Sequence, residues 1–334
     1  MTIPVIAFFN NKGGVGKTSL VYHLGWMYDQ LNIPVLLADL DPQANLTTNF
    51  LDDDELETFW EEDNRPIKTI YDGVKPLITG KGDIDDVTIK EFGDVGRLIA
   101  GDLQLSRFEG NLSDEWSRTI LGEAKGLRTT SAIWRILQNS AQQSDSELIL
   151  VDMGPNLGAI NRTILLSADY IVIPLAADLF SLQGLKNLGE TLHKWKKDWN
   201  TARSRRDEDS KEFEIPEGNI QPLGYIVMQH AQRLDRPVKA YANWIQKIPE
   251  IYARHVLNES PPNIQPDPHQ IGLVRHYVSL MAMAHDARKP IFYLKPADGA
   301  VGSHVKLVQR AMDNFEELAL AIANRIGLAI PQDD

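Results

Sequence analysis

Ile3-Pro4-Val5-Ile6-Ala7-Phe8-Phe9-Asn10-Asn11-Lys12-Gly13-Gly14-Val15-Gly16-Lys17-Thr18-Ser19 is an apolar run that breaks into a glycine-rich turn and closes on Lys-Thr. It reads as a buried strand, a phosphate loop and the start of a helix. Glycines at 13, 14 and 16 let backbone N–H groups turn inward around an anion, and a helix starting near Lys17 points its positive end at the same place. Lys17 is then expected to reach the β- and γ-phosphates of a nucleotide, with the Thr18 hydroxyl on Mg²⁺ and the backbone from Lys12 to Ser19 as the cradle. A plain glycine turn with two solvated lysines is the alternative, and the position between an apolar strand and a helix disfavours it.

The common phosphate loop has a glycine, four free positions, then Gly-Lys-Ser/Thr. Asn11 occupies the first position here, so that form is not met. A second lysine, Lys12, instead stands five residues before Lys17 in Lys-Gly-Gly-Val-Gly-Lys-Thr. This loop resembles that of the deviant Walker A ATPases of the ParA/MinD family, which carries such an extra lysine. The resemblance implies a doubly wound, mostly parallel α/β sheet flanked by helices. It also implies ATP and Mg²⁺ as cofactors and slow, partner-stimulated hydrolysis. In the family the extra lysine reaches the nucleotide of a facing subunit, so Lys12 implies a homodimer assembled around ATP.

Outward from the loop, Leu20, Val21, Leu24, Trp26 and Met27 space themselves as one helix face that ends before Asn32-Ile33-Pro34. Val35-Leu36-Leu37-Ala38 forms the next strand and delivers Asp39-Leu40-Asp41-Pro42-Gln43 at its carboxyl end, the edge where open α/β sheets bind ligands. Asp39 and Asp41 can divide the work, one near the metal and one near the γ-phosphate. The segment resembles the family's first switch, which implies that Asp39 supports Mg²⁺ through water and Asp41 positions the attacking water. Glu147-Leu148-Ile149-Leu150-Val151-Asp152 is an apolar strand closing on an acid, and Asp152 is expected to orient a water on Mg²⁺.

Met153-Gly154-Pro155-Asn156-Leu157-Gly158 resembles the second switch, with Gly154 in place of a proline, a change expected to loosen it. Ala168 to Leu175 and Ser181-Leu182-Gln183-Gly184-Leu185 match a further strand and helix start, and Pro222 to Met228 another strand. Residues 51–100 are the least informative, with a short helix at Thr69–Val74, a turn at Gly80–Asp83 and a strand near 95–105. Trp116 to Gln138 reads as mainly helical, and Ser303 to Ile326 as a helix with Val305, Leu307, Val308, Met312, Phe315, Leu318 and Ile322 as its packed stripe. The whole chain is expected to form one ATPase domain with insertions around 51–95, 203–219 and 254–270. No segment for holding adenine is found at Ile271 to His276.

At 334 residues and 43% hydrophobic content the chain has ample material for a core. No apolar run approaches the ~20 residues that span a bilayer, and a cytoplasmic location is expected. Cysteine is absent, which removes disulfides, Cys-ligated zinc and thiol catalysis. The histidines, among them His230, His255, His269, His276 and His285, never fall at metal-ligand spacing with carboxylates.

A net charge of −12 disfavours a surface that coats nucleic acid throughout. Much of the acidity sits in Asp52 to Glu55, Glu57 and Glu61 to Asp63, read as a solvated face. Lys194, Lys196, Lys197, Arg203, Arg205 and Arg206 form a local basic excess, a candidate face for non-specific DNA, with a solvated helix end as the plainer reading. Trp195 and Trp199 are expected to anchor that helix. By resemblance a ParB-like or other activating protein would trigger hydrolysis. An ATPase that binds protein partners alone is the rival. A membrane-docking switch of the MinD type is disfavoured by the acidic Ile-Pro-Gln-Asp-Asp ending.

Overall fold

The computed structural model describes residues 2–59, 67–229, 238–264, 266–275 and 277–331. Glu61, Glu62, Asp63, His230, His276 and the final Gln332-Asp333-Asp334 lie outside these.

Eight strands form one sheet in the order β3-β4-β2-β5-β1-β6-β7-β8. They are β1 (Val5–Phe8), β2 (Val35–Asp39), β3 (Ile89–Phe92), β4 (Gly96–Ile99), β5 (Leu148–Asp152), β6 (Tyr170–Ala176), β7 (Gln221–Met228) and β8 (Gln270–Val274). All neighbours pair parallel except β3 with β4. The all-apolar make-up of β1 follows from its central place. Val5 and Ala7 enter the core on one face of the sheet, and Ile6 and Phe8 the core on the other, all with no exposure.

Helices Phe108–Leu121, Ala132–Gln143, Ala159–Ser167 and Leu179–Ser204 supply the first of these layers, and Lys17–Gln30 with Ser303–Ile326 the second. The doubly wound α/β arrangement expected from the sequence is therefore present. β1 lies between β5 and β6, so its carboxyl end faces the point where successive strands part to opposite sides, the place such sheets use for ligands.

Some local expectations are corrected. Residues 116–138 are mainly helical as expected, but as parts of three helices, Phe108–Leu121, Ala124–Thr130 and Ala132–Gln143, interrupted at Gly122-Glu123 and at Ser131. Val305 is 52% exposed and stands outside the packed stripe of the last helix, while Phe315, Leu318 and Ile322 are buried. Within 51–95, Ile89–Phe92 is the antiparallel edge strand β3. The acidic stretch before it is not wholly solvated, because Glu55 pairs with Lys90. Trp195 and Trp199 are buried as expected.

Candidate nucleotide-binding site

The turn after β1 is built to stay open. Gly14 and Gly16 take left-handed backbone angles, φ +71° and +89°, that L side chains rarely adopt. Asn10 fixes its base by donating to the Pro174 carbonyl at 2.7 Å and accepting the Lys12 N–H at 2.9 Å. The helix Lys17–Gln30 starts at once after Gly16, so the unbonded N–H groups of its first turn face the same space.

Lys17 is 7% exposed. Burial lowers its pKa, and the nearby Asp152 and Asp41 carboxylates partly offset this. Ser19 at the next turn receives a 2.6 Å contact from His23 Nδ1 on its carbonyl, while His23 Nε2 accepts the Ile291 N–H at 3.1 Å. That arrangement assigns the proton to Nδ1 and ties the helix start to the chain that precedes the last helix.

Asp39 and Asp152 end neighbouring strands in register. Both are fully buried, and burial raises both pKa values, the closeness of Asp39 adding to the rise at Asp152. Asp39 Oδ2 accepts the Thr47 N–H at 2.8 Å and the Thr47 hydroxyl at 2.7 Å, and Oδ1 accepts the Asp41 N–H at 3.3 Å. Thr47 in turn accepts the Gly101 N–H at 2.7 Å, so Asp39 braces the first switch to the loop after β4. Asp152 differs. The Thr18 hydroxyl and Lys17 nearby favour its charged form, but neither carboxylate oxygen has a hydrogen-bond partner of normal geometry.

Asp41 accepts the Gln43 N–H at 3.0 Å, and its Oδ1 would lie 3.4 Å from a Cβ placed at Gly154. The two switches therefore meet at this point. The segment around Gly154 is held by several hydrogen bonds. Asn161 donates to the Gly154 carbonyl at 2.8 Å and the Asn156 carbonyl at 2.6 Å, Asn156 accepts the Gly158 N–H at 2.8 Å, and Glu109 accepts the Ala159 and Ile160 N–H groups.

Lys12 is not a free cation. Its ammonium bonds Asp178 within the same chain, and Asp178 also accepts the Ser181 N–H at 2.9 Å as the cap of helix Leu179–Ser204. Burial alone would raise the Asp178 pKa, but the Lys12 and Ser181 donors hold it below the usual carboxylate range. Gly184 explains how the helix comes so near, since a Cβ there would stand 2.2 Å from Asn11 Oδ1.

Lys12, Gly13, Gly14, Val15, Gly16, Lys17, Thr18, Ser19, Asp39, Asp41 and Asp152 thus gather at the carboxyl ends of β1, β2 and β5. Sequence reasoning missed Asp178, Thr47, Glu109 and Asn161. Asp178 carries a readable signal, an acid placed as a helix cap three residues before Ser181. Thr47, Glu109 and Asn161 carry none.

The basic residues of the long helix divide. Lys196 donates to the Ile220 carbonyl at 3.1 Å, Arg203 to the Glu217 carbonyl at 3.0 Å, and Arg206 to the Ser210 and Phe213 carbonyls. These three contact carbonyls of residues 206–220, Arg203 while remaining exposed, and Lys194, Lys197 and Arg205 are exposed as well.

Comparison with known proteins shows the relatives of this chain. The AAA domain family (AAA_31) matches residues 3–204. The sporulation initiation inhibitor protein Soj of Bacillus subtilis is 28% identical over 59% of this chain and 68% of its own length. The chromosome partitioning protein ParA of Caulobacter vibrioides is 28% identical over 58% of this chain and 63% of its own. An ATP complex of a Cyanothece McdA variant superposes with a TM-score of 0.63 at 15% identity, over 99% of both chains, and shares the fold. The loop with its second lysine, the acid-ended strands and the matched region of 202 residues together place this chain in the ParA/MinD family of deviant Walker A P-loop ATPases.

Proposed function

We propose that the chain binds Mg-ATP and uses slow hydrolysis to switch between a monomer and an ATP-held homodimer, in the partitioning or positioning of DNA or a protein cargo in the cytoplasm. The observation that carries this reading is the buried Lys17 set near the buried carboxylate of Asp152, whose oxygens lack a hydrogen bond of normal geometry, at the mouth of the loop. Burial disfavours the charged form of this carboxylate more than Lys17 and Thr18 favour it, and a bound cation would stabilise that form further. Among the described residues no three His, Asp or Glu side chains could hold a metal by themselves. That suits Mg²⁺, which keeps several waters and takes the rest of its shell from phosphate oxygens.

In this reading the backbone of Gly13 to Ser19 and the Lys17 ammonium hold the phosphates, and the Thr18 hydroxyl ligates the ion. Asp152 and Asp39 orient its waters. The ion neutralises phosphate charge when bound. Asp41 holds the attacking water, and Lys12 leaves Asp178 to reach the nucleotide of the facing subunit. The name of the Caulobacter ParA, a chromosome partitioning protein, supports partitioning as the general setting, with a ParB-like or other activating protein as the trigger.

DNA contact would fall to Lys194, Lys197 and Arg205, fewer cations than the six the sequence suggested. The bracing role of Lys196, Arg203 and Arg206 therefore favours the second reading, an ATPase that engages protein partners alone. Titration of a fluorescent ATP analogue into wild type and Lys17→Ala tests the site: binding is lost in the variant, and unchanged affinity overturns the assignment. Co-sedimentation of the ATP-loaded protein with DNA at two salt concentrations separates the two settings, since phosphate contacts weaken steeply with salt.

A further inference from the structure

Helix Ile70–Thr79 lies outside the nucleotide-binding site, yet its first turn is tied to the first switch by three consecutive residues of the loop after β4. The Ala100 carbonyl accepts the Ile70 N–H at 3.0 Å, Gly101 donates its N–H to the Thr47 hydroxyl at 2.7 Å, and Asp102 Oδ2 accepts the Thr69 hydroxyl at 2.9 Å. Thr47 passes the tie on by donating to Asp39 Oδ2 at 2.7 Å. Asp39, Thr47, Thr69 and Asp102 are all at most 2% exposed, so water does not compete for these bonds.

Both ends of the path are stiff. A Cβ at Gly101 would stand 2.8 Å from Asp39 Cγ, so the loop lies directly on that carboxylate. A Cβ at Gly73 would stand 2.8 Å from Ile136 Cδ1, so helix Ile70–Thr79 is pressed on helix Ala132–Gln143 with little room to shift. Its start is fixed as well, because Asp72 accepts the Thr69 N–H at 2.8 Å.

We infer that Thr69 and Asp102 are positioning residues for hydrolysis, an inference that rests on the roles proposed for Asp39 and Asp41. The packed helix Ile70–Thr79 sets, through the loop after β4 and Thr47, how Asp39 is held. Asp39 Oδ1 in turn accepts the Asp41 N–H at 3.3 Å, so a change in its setting reaches the residue that holds the attacking water. Nucleotide affinity is spared, because Lys17 and the backbone of Gly13 to Ser19 stand outside this path.

The test compares wild type, Thr69→Val, Thr69→Ser, Thr47→Val and the Thr47→Val/Thr69→Val double variant. Thr119→Val is the control, since it removes an equally buried bond, 2.9 Å to the Thr130 hydroxyl, between helices Phe108–Leu121 and Ala124–Thr130. Hydrogen–deuterium exchange of residues 41–49 is followed in the nucleotide-free protein, beside kcat and the affinity for a fluorescent ATP analogue. Thr69→Val is expected to speed that exchange about fivefold and to lower kcat about tenfold, with analogue affinity within about twofold of wild type. Thr69→Ser restores both, and Thr119→Val leaves both at the wild-type level. In the Thr47→Val background, Thr69→Val adds less than about twofold, because the two act on Asp39 through one path. Wild-type exchange and kcat in Thr69→Val overturn the inference, as do effects of the two substitutions that multiply. An equal loss of kcat in Thr119→Val also overturns it, since a general loosening of the fold then suffices. Faster exchange in Thr69→Val beside a wild type that hydrolyses no ATP supports the path and overturns the hydrolytic reading instead.

Discussion

The carboxyl ends of β2 and β5 carry the same side chain in the same depth of burial, side by side in register, and treat it in opposite ways. Asp39 is surrounded by donors from Thr47 and Asp41. Asp152 has none. A buried carboxylate with donors is a brace, since it organises the groups that face it. One without donors is a standing cost unless something arrives to meet it. The contrast separates the part of the site that keeps the first switch in place from the part kept open for a ligand.

The largest expected effect breaks the brace. Asp39→Ala leaves the Thr47 N–H and hydroxyl buried without an acceptor and cuts the tie to Gly101, for a loss of about 3–4 kcal/mol in chemical denaturation. A loss under about 1 kcal/mol would make Asp39 and Asp152 equivalent and remove the contrast.

Asp152→Asn should do the reverse. Removing an unmatched buried carboxylate leaves the nucleotide-free protein as stable as wild type or more so, while Mg-dependent ATP hydrolysis falls about a hundredfold, roughly 2.7 kcal/mol. Equal hydrolysis in the variant would move the open position elsewhere in the site.

His23 sharpens the comparison from the other side of the loop, because it too is buried yet fully partnered. Burial lowers its pKa to about 4, against the ordinary 6.5. The unfolded chain then takes up a proton below pH 6.5 that the folded chain refuses, so stability falls as pH drops from 6.5 toward 4. The contribution is about 2 kcal/mol at pH 5. Denaturation of His23→Gln at pH 7 and pH 5 should lack this part of the slope. An identical slope in the two proteins would show that the imidazole titrates freely.

The smallest effect concerns the second switch. Asn161→Ala removes the donors to the Gly154 and Asn156 carbonyls and is expected to cost about 1–2 kcal/mol, with hydrolysis reduced more than nucleotide binding. Binding and turnover measured on one preparation decide it. Equal losses would mean that the asparagine supports the fold without positioning the switch that meets Asp41.

What the sequence determined by itself was the order of the site along the chain. A strand that is apolar throughout, glycines at fixed offsets before Lys-Thr, and apolar runs that close on Asp39 and Asp152 are local patterns, and local patterns follow from propensity and backbone sterics. The doubly wound sheet, the helix from Lys17 and the gathering of the loop with three aspartates were legible for that reason. The strands β3 and β8 were not, because four or five residues at a sheet edge leave little periodicity to read.

The tertiary structure alone decided which polar groups meet. Lys12 finds Asp178 at a sequence distance of 166, Lys196 turns to the Ile220 carbonyl, Asn161 donates to the Gly154 carbonyl, and Asp39 is satisfied where Asp152 is not. Each of these depends on the distance and direction between elements packed on different strands and helices. A charged side chain has the same letter in the sequence whether the fold supplies it a partner or withholds one.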